Sequence, residues 1–213
     1  MKNHNSGNSR FMALKLDMSK AYDRVKWSFL KAVMSQMGFN DRWIGFIMEC
    51  VTTVTYSILI NGKPSGEIRP DRGIRQGDPL SPYLFLLCSE SLHRLIQKAV
   101  ERSDIHGVFI CRNGPKLIYL FFANDSLLFC KATTQECEKV MEILSSYEKV
   151  LGQKLNRDKI ALFFSKSTPS DVQRQIMEIL EGSELKQYEK YLGLPAMVGK
   201  NKRASFDKLK QRV

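Results

Sequence analysis

The stretch from Leu117 to Cys130 restricts the fold more than any other. Leu117-Ile118-Tyr119-Leu120-Phe121-Phe122 and Ser126-Leu127-Leu128-Phe129-Cys130 are apolar runs separated only by Ala123-Asn124-Asp125. Each run is aromatic or branched and too short for a helix, so the pair predicts two buried strands of a hairpin with Asp125 at its tip. A carboxylate on a tip clamped by two strands stays where a metal ion needs it. One carboxylate is not a metal site. A second candidate comes from Phe11-Met12-Ala13-Leu14-Lys15-Leu16-Asp17, an apolar run that also reads as a strand and closes on an acid.

Between these runs the periodicity changes. Trp27, Leu30, Val33, Met34 and Met37 are spaced for one helix face that Gly38 closes, and Asp41 is expected to cap a second helix carrying Trp43, Ile44, Ile47, Met48 and Val51 on one side. Val54 to Ile60 is strand-like and runs into Asn61-Gly62, a dipeptide suited to a tight hairpin turn. Ser81-Pro82 fits the start of a long helix reaching toward Val100, and Asn113-Gly114 marks a second hairpin between 107–111 and 116–122. Thr133 with Glu136 forms a capping box ahead of a helix to about Leu151, Ile160 to Phe164 is a strand, and a further helix covers about Pro169 to Leu180. This order predicts an α+β unit, one antiparallel sheet with helices packed on one face. In it the strand ending at Asp17 can lie beside the hairpin that carries Asp125.

Composition narrows the partners. Among 213 residues, 33 Lys and Arg face 22 Asp and Glu, a net charge of +11 that favours polyanions and is also compatible with mere solubility. The five cysteines are scattered, without metal-ligand spacing, and are expected as reduced core residues with no disulfide-linked partner. His4, His93 and His106 stand apart from one another and are expected at surface or packing positions. No apolar run approaches the length of a membrane span, and the polar first ten residues lack a signal-peptide core. A nuclear or cytoplasmic protein is the expectation.

Two carboxylates at the ends of adjacent strands can share divalent cations, the arrangement used in phosphoryl transfer. The alternative is that Asp17 and Asp125 merely terminate their strands. Three motifs bear on this choice. Leu16-Asp17-Met18-Ser19-Lys20-Ala21-Tyr22-Asp23, Gly73-Ile74-Arg75-Gln76-Gly77-Asp78-Pro79-Leu80-Ser81-Pro82 and Phe122-Ala123-Asn124-Asp125 resemble motifs A, B and C of reverse transcriptases, above all those of plant non-LTR, LINE-type retrotransposons. Gly152-Gln153-Lys154-Leu155-Asn156 to Lys159 resembles motif D, and Lys190-Tyr191-Leu192-Gly193-Leu194-Pro195 the primer grip.

The resemblance implies a polymerase palm-like fold in partial form, with fingers and thumb largely missing. Residues 1–10 would be a disordered lead-in, 11–200 the palm domain, and 201–213 the start of a truncated thumb-like or connecting segment. It implies two Mg2+ ions held by Asp17 and Asp125, with RNA template, DNA primer and deoxynucleoside triphosphates as partners. Tyr22 would exclude a ribonucleotide, Gln76 and Gly77 would lie against nucleotide and template, Arg75 would meet phosphates, and Lys159 would protonate the departing pyrophosphate. Asp23 is expected to be structural.

One position departs from the family pattern. Where the family has the first aspartate of motif C, this chain has Asn124, a degenerate catalytic position that lowers the formal charge of the cluster from −3 to −2. Two consequences are open: an impaired polymerase, or a non-catalytic nucleic-acid-binding remnant of a retrotransposon. A decayed chain that never folds stably is a third outcome.

Overall fold

Along strand β1 (Phe11–Ser19) the residues Met12, Leu14, Leu16 and Met18 are buried, the period of two that a pleated backbone imposes. The computed structural model that places this strand describes residues 10–109, 114–122, 125–180, 190–191 and 194–195, with only the main chain for Phe122, Asp125, Asp158 and the last four. The expected lead-in up to residue 9 and the segment 201–213 lie outside the described residues, as do Cys111, Asn113 and Asn124.

After β1 come helices α1 (Trp27–Gln36) and α2 (Asp41–Thr52), strands β2 (Tyr56–Ile60) and β3 (Lys63–Ile68), and helix α3 (Ser81–Glu101). Four strands follow: β4 (Val108–Phe109), β5 (Lys116–Leu117), β6 (Tyr119–Phe122) and β7 (Asp125–Lys131). Helix α4 (Thr134–Leu151), strand β8 (Lys154–Leu155), a 3-10 turn (Arg157–Lys159), strand β9 (Ala161–Phe164), helix α5 (Ser170–Ile179), and the short strands β10 (Lys190–Tyr191) and β11 (Leu194–Pro195) complete the chain. The mixed helix and antiparallel-sheet class is the one expected from the sequence.

The chain divides into two compact units, each built from separated segments. The first takes residues up to Asp17, Arg102–Met141 and Asn156 onward; the second takes Met18–Glu101 and Glu142–Leu155. In the first unit β6 pairs with β7, β7 with β1, and β1 with β9, all antiparallel. Ala13, Leu127, Phe129, Ala161 and Phe163 fill one side of this sheet, where Val108 and Leu117 from the β4–β5 hairpin pack against them. Met12, Leu14, Leu128, Cys130 and Leu162, which alternate with that set, are buried as well. Leu14 and Leu162 are among the largest fully buried side chains, so the strand that ends near Asp17 is held by apolar burial on both sides. The expectation of two buried strands around Asp125 is corrected for β6. Among the described residues it is an edge strand with one neighbour, and Leu120 is 42% exposed.

In the second unit α1 packs against α2 and α3. Ile44, Ile47 and Val51 are buried on α2, but Trp43 and Cys50 are exposed, contrary to the expected core positions. Each precedes a buried residue by one, which turns it about 100° from that residue and outside the buried stripe. The cap of α2 is Asn40, not Asp41: its side chain accepts from Arg42 N at 2.9 Å. Asn61 and Gly62 join β2 to β3 with φ of 50° and 78°, the doubly positive turn that the dipeptide predicts. Every residue of both strands is exposed.

Three of the thiols behave as expected. Cys88, Cys130 and Cys137 are buried and free, and burial pushes the first and last up to about 12 and Cys130 well above the ordinary thiol range. No helix among the described residues is long and apolar enough to cross a membrane.

Candidate active site

The β1–β7 ladder runs from Phe11 opposite Lys131 to Asp17 opposite Asp125. Both faces are buried, so a slip by one residue would exchange the large Met12, Leu14 and Leu16 with Ala13, Lys15 and Asp17 between two packed layers. Asp17 and Asp125, more than a hundred positions apart, are therefore neighbours in one ladder. The Asp17 carboxylate is largely shielded, at 16% exposure, and its Oδ2 lies 3.7 Å from Lys159 Nζ. Lys159 is brought there by the main chain, because Asn156 N donates to the Asp17 carbonyl at 2.9 Å and Lys159 N to the Asn156 carbonyl at 3.0 Å. Carboxylates at this pair of positions are hard oxygen donors, the type that suits magnesium. Among the described residues no three His, Cys, Asp or Glu side chains gather around a point that could hold a metal.

Asn124 lies outside the described residues, and the other expected site residues belong to the second unit. The Tyr22 ring stacks on Phe85 of α3, with centroids 5.1 Å apart and planes at 14°, so a half-buried phenol is held in one orientation. Gln76 Nε2 donates to Asp23 Oδ1 at 3.2 Å, which fixes the amide and leaves its oxygen as an acceptor on an exposed loop. Arg75 and Gly77 are exposed beside it. The loop is tied down by main-chain bonds: Gly73 N to the Val25 carbonyl at 2.8 Å and Ile74 N to the Tyr22 carbonyl at 3.0 Å. Trp27 Nε1 adds a bond of 2.7 Å to the Gly73 carbonyl, so a tryptophan read from its spacing as core also works as a clamp.

Gly73 is the residue this clamp cannot replace. Its φ is +92°, and a Cβ there would stand 2.9 Å from the Asp23 carbonyl oxygen, a backbone atom with nowhere to move. Gly73→Ala is expected to cost about 2 to 3 kcal/mol, measured by urea denaturation. A loss under about 0.5 kcal/mol would show that the loop is not locked to the segment after Asp17.

One cluster in the first unit escaped the sequence reading. Thr133 Oγ1 accepts from Glu136 N at 3.3 Å, the first arm of the expected capping box. The Glu136 carboxylate does not return to Thr133. It is buried and accepts from Lys131 N at 2.9 Å and His106 N at 3.0 Å, with His106 Nδ1 2.9 Å away. His106 therefore has an acidic partner, and the end of β7 is fastened to the turn after α3. Only the S/T-x-x-E spacing was visible beforehand, and it names one end of the contact.

The chain matches the model of the family described as reverse transcriptase (RNA-dependent DNA polymerase) over residues 2–196. It belongs to the reverse transcriptase family. An uncharacterized mitochondrial protein of Arabidopsis thaliana is 48% identical over 68 residues, covering 32% of this chain and 56% of that protein. The Pol polyprotein of a type-1 retrotransposable element R2 of Popillia japonica is 28% identical over 151 residues, 71% of this chain and 24% of the polyprotein. The reverse transcriptase domain of a non-LTR element, expected from the motifs, is thus supported, and the plant affinity rests on the first relative. Telomerase from Candida tropicalis, in complex with a TWJ fragment of telomeric RNA, superposes with a TM-score of 0.63 at 13% identity, over 99% of this chain and 34% of that one. That likeness establishes a palm-like polymerase fold. The chain thus spans about a quarter of the R2 polyprotein and about a third of the telomerase chain.

The two stretches that resemble motif D and the primer grip take the following forms. Gln153 is buried and donates to the Ala21 carbonyl at 2.8 Å. Lys190 pairs with Pro195 and Tyr191 with Leu194, a main-chain hairpin whose turn residues lie outside the described set.

Proposed function

We propose that this domain carries the catalytic centre of an RNA-directed DNA polymerase, and that Asn124 impairs it in this copy. The observation that carries the reading is the register of β1 and β7, with Asp17 directly opposite Asp125 at the end of the ladder. Magnesium bound there would assist deprotonation of a primer 3′ hydroxyl and offset charge on the departing pyrophosphate. Asp17 and Asp125 would hold it, Tyr22 would bear against the incoming sugar, Gln76 and Gly77 would meet nucleotide and template, and Arg75 the phosphates. Lys159 would supply the proton to the leaving group. RNA template, DNA primer and deoxynucleoside triphosphates are the implied partners. The net charge of +11 supports a polyanionic one.

The test is extension of a DNA primer on an RNA template, with Asp17→Asn as the control. The expected result is magnesium-dependent extension that is barely above the control in the native chain. Extension equal to that of a polymerase with a complete motif C would overturn the impairment, and extension unaffected by Asp17→Asn would overturn the site. Asn124 specifically favours a second reading, a nucleic-acid-binding remnant without catalysis. Salt-sensitive binding of hybrid duplex with no synthesis, even after Asn124→Asp, would select it.

A further inference from the structure

The ladder around Asp17 has an irregularity that places a cation against it. Lys15 pairs with Ala161 of β9, and Met18 pairs with Leu155 of β8. The five residues Asn156 to Ile160 therefore stand opposite only Leu16 and Asp17, and the surplus is folded into the 3-10 turn Arg157–Lys159. The turn is pinned at its start by Asn156 N on the Asp17 carbonyl and closed by Ile160 N on the Arg157 carbonyl at 3.2 Å. The register thus holds the Lys159 main chain beside Asp17, whichever way its side chain turns. The ammonium lies 3.7 Å from the carboxylate, while 63% of the Lys159 side chain remains open to solvent.

From this geometry, and resting on the reading that Asp17 holds a divalent cation, we propose that Lys159 is the resident counter-ion of the metal site, which an incoming cation has to displace. An ammonium within 4 Å of a carboxylate offsets the charge that a metal would bind, and two cations that close repel each other. A lysine suits this part because its charge sits on a flexible four-carbon stem and can swing away without disturbing the core. The Asp17 carboxylate carries a formal −1, which the Lys159 ammonium offsets. Lys159 therefore sets metal affinity, a role separate from any proton transfer.

The test is binding of Mn2+ to the 213-residue chain, followed by the loss of the free-ion electron paramagnetic resonance signal. Lys159→Gln removes the charge from an exposed side chain and should tighten binding about fivefold, the scale of an exposed ion pair. Lys159→Arg should bind as the native chain does. Equal affinity for Lys159→Gln and native chain, with Asp17→Asn weaker than both, would overturn the counter-ion role and leave the metal site standing. Affinity that Asp17→Asn does not lower would overturn both.

Discussion

Asn124→Asp is expected to raise DNA synthesis by about a hundredfold or more. The comparison is made in a polymerase that carries residues 10–196 of this chain in place of the matching segment of an R2-type relative, assayed by primer extension on RNA with magnesium. The reasoning is electrostatic. An amide oxygen is a neutral donor, so the native set carries −2 formal charges where the family pattern carries −3. Under the proposed reading two dications and a departing pyrophosphate would meet at that point, in a setting where charges act with less screening than in bulk water. A deficit of several kcal/mol in transition-state stabilisation corresponds to a rate factor of about a hundred to a thousand. Placed in the Asn124→Asp background, Asp17→Asn should return extension to background. Equal rates with and without the Asn124→Asp substitution would mean that the amide serves as well as the carboxylate, and the impairment would fall.

The second large effect concerns folding. Glu136→Leu is expected to cost about 3 kcal/mol, read from the midpoint of urea unfolding at unchanged slope. The leucine fills much of the same volume, but it leaves Lys131 N and His106 N without the acceptor that now satisfies both. A stranded donor carries a penalty of about 1 to 3 kcal/mol when fully buried, and these two part-buried ones fall toward the lower end. Glu136→Gln keeps one oxygen acceptor and should fall between the two. A loss no larger than that of an ordinary surface change, about 0.5 kcal/mol, would show that the carboxylate is not the fastening of β7.

What the residues disclosed beforehand follows from how far each signal reaches along the chain. Periods of two and 3.6 located β1, α1, α3 and α5, and the Asn61-Gly62 turn was legible because both positive φ values come from the dipeptide itself. Trp43 was expected on the buried side, since apolar spacing alone does not say which edge of a stripe meets the core, and the cap was expected at Asp41, one position past Asn40. The Glu136 case is different in kind. Its capping partner is local and was visible, but His106 arrives from thirty positions away, and no window of sequence contains both. The same limit hid the Gln76–Asp23 bond, 53 positions apart, and the approach of Lys159 to Asp17. The motifs pointed to candidate site residues, while the contacts those residues make depended on tertiary structure.

The β2–β3 arm has a consequence for how the second unit behaves. Tyr56, Ile58, Leu59, Ile60 and Ile68 are all exposed, so no core supports this ribbon from either face. A lone pair of strands is at best marginally stable in water, and its order then rests on the turn and the cross-strand bonds. Free energy for opening is therefore expected to be low there, which lets the arm rearrange or fray while the helices of the same unit keep their packing.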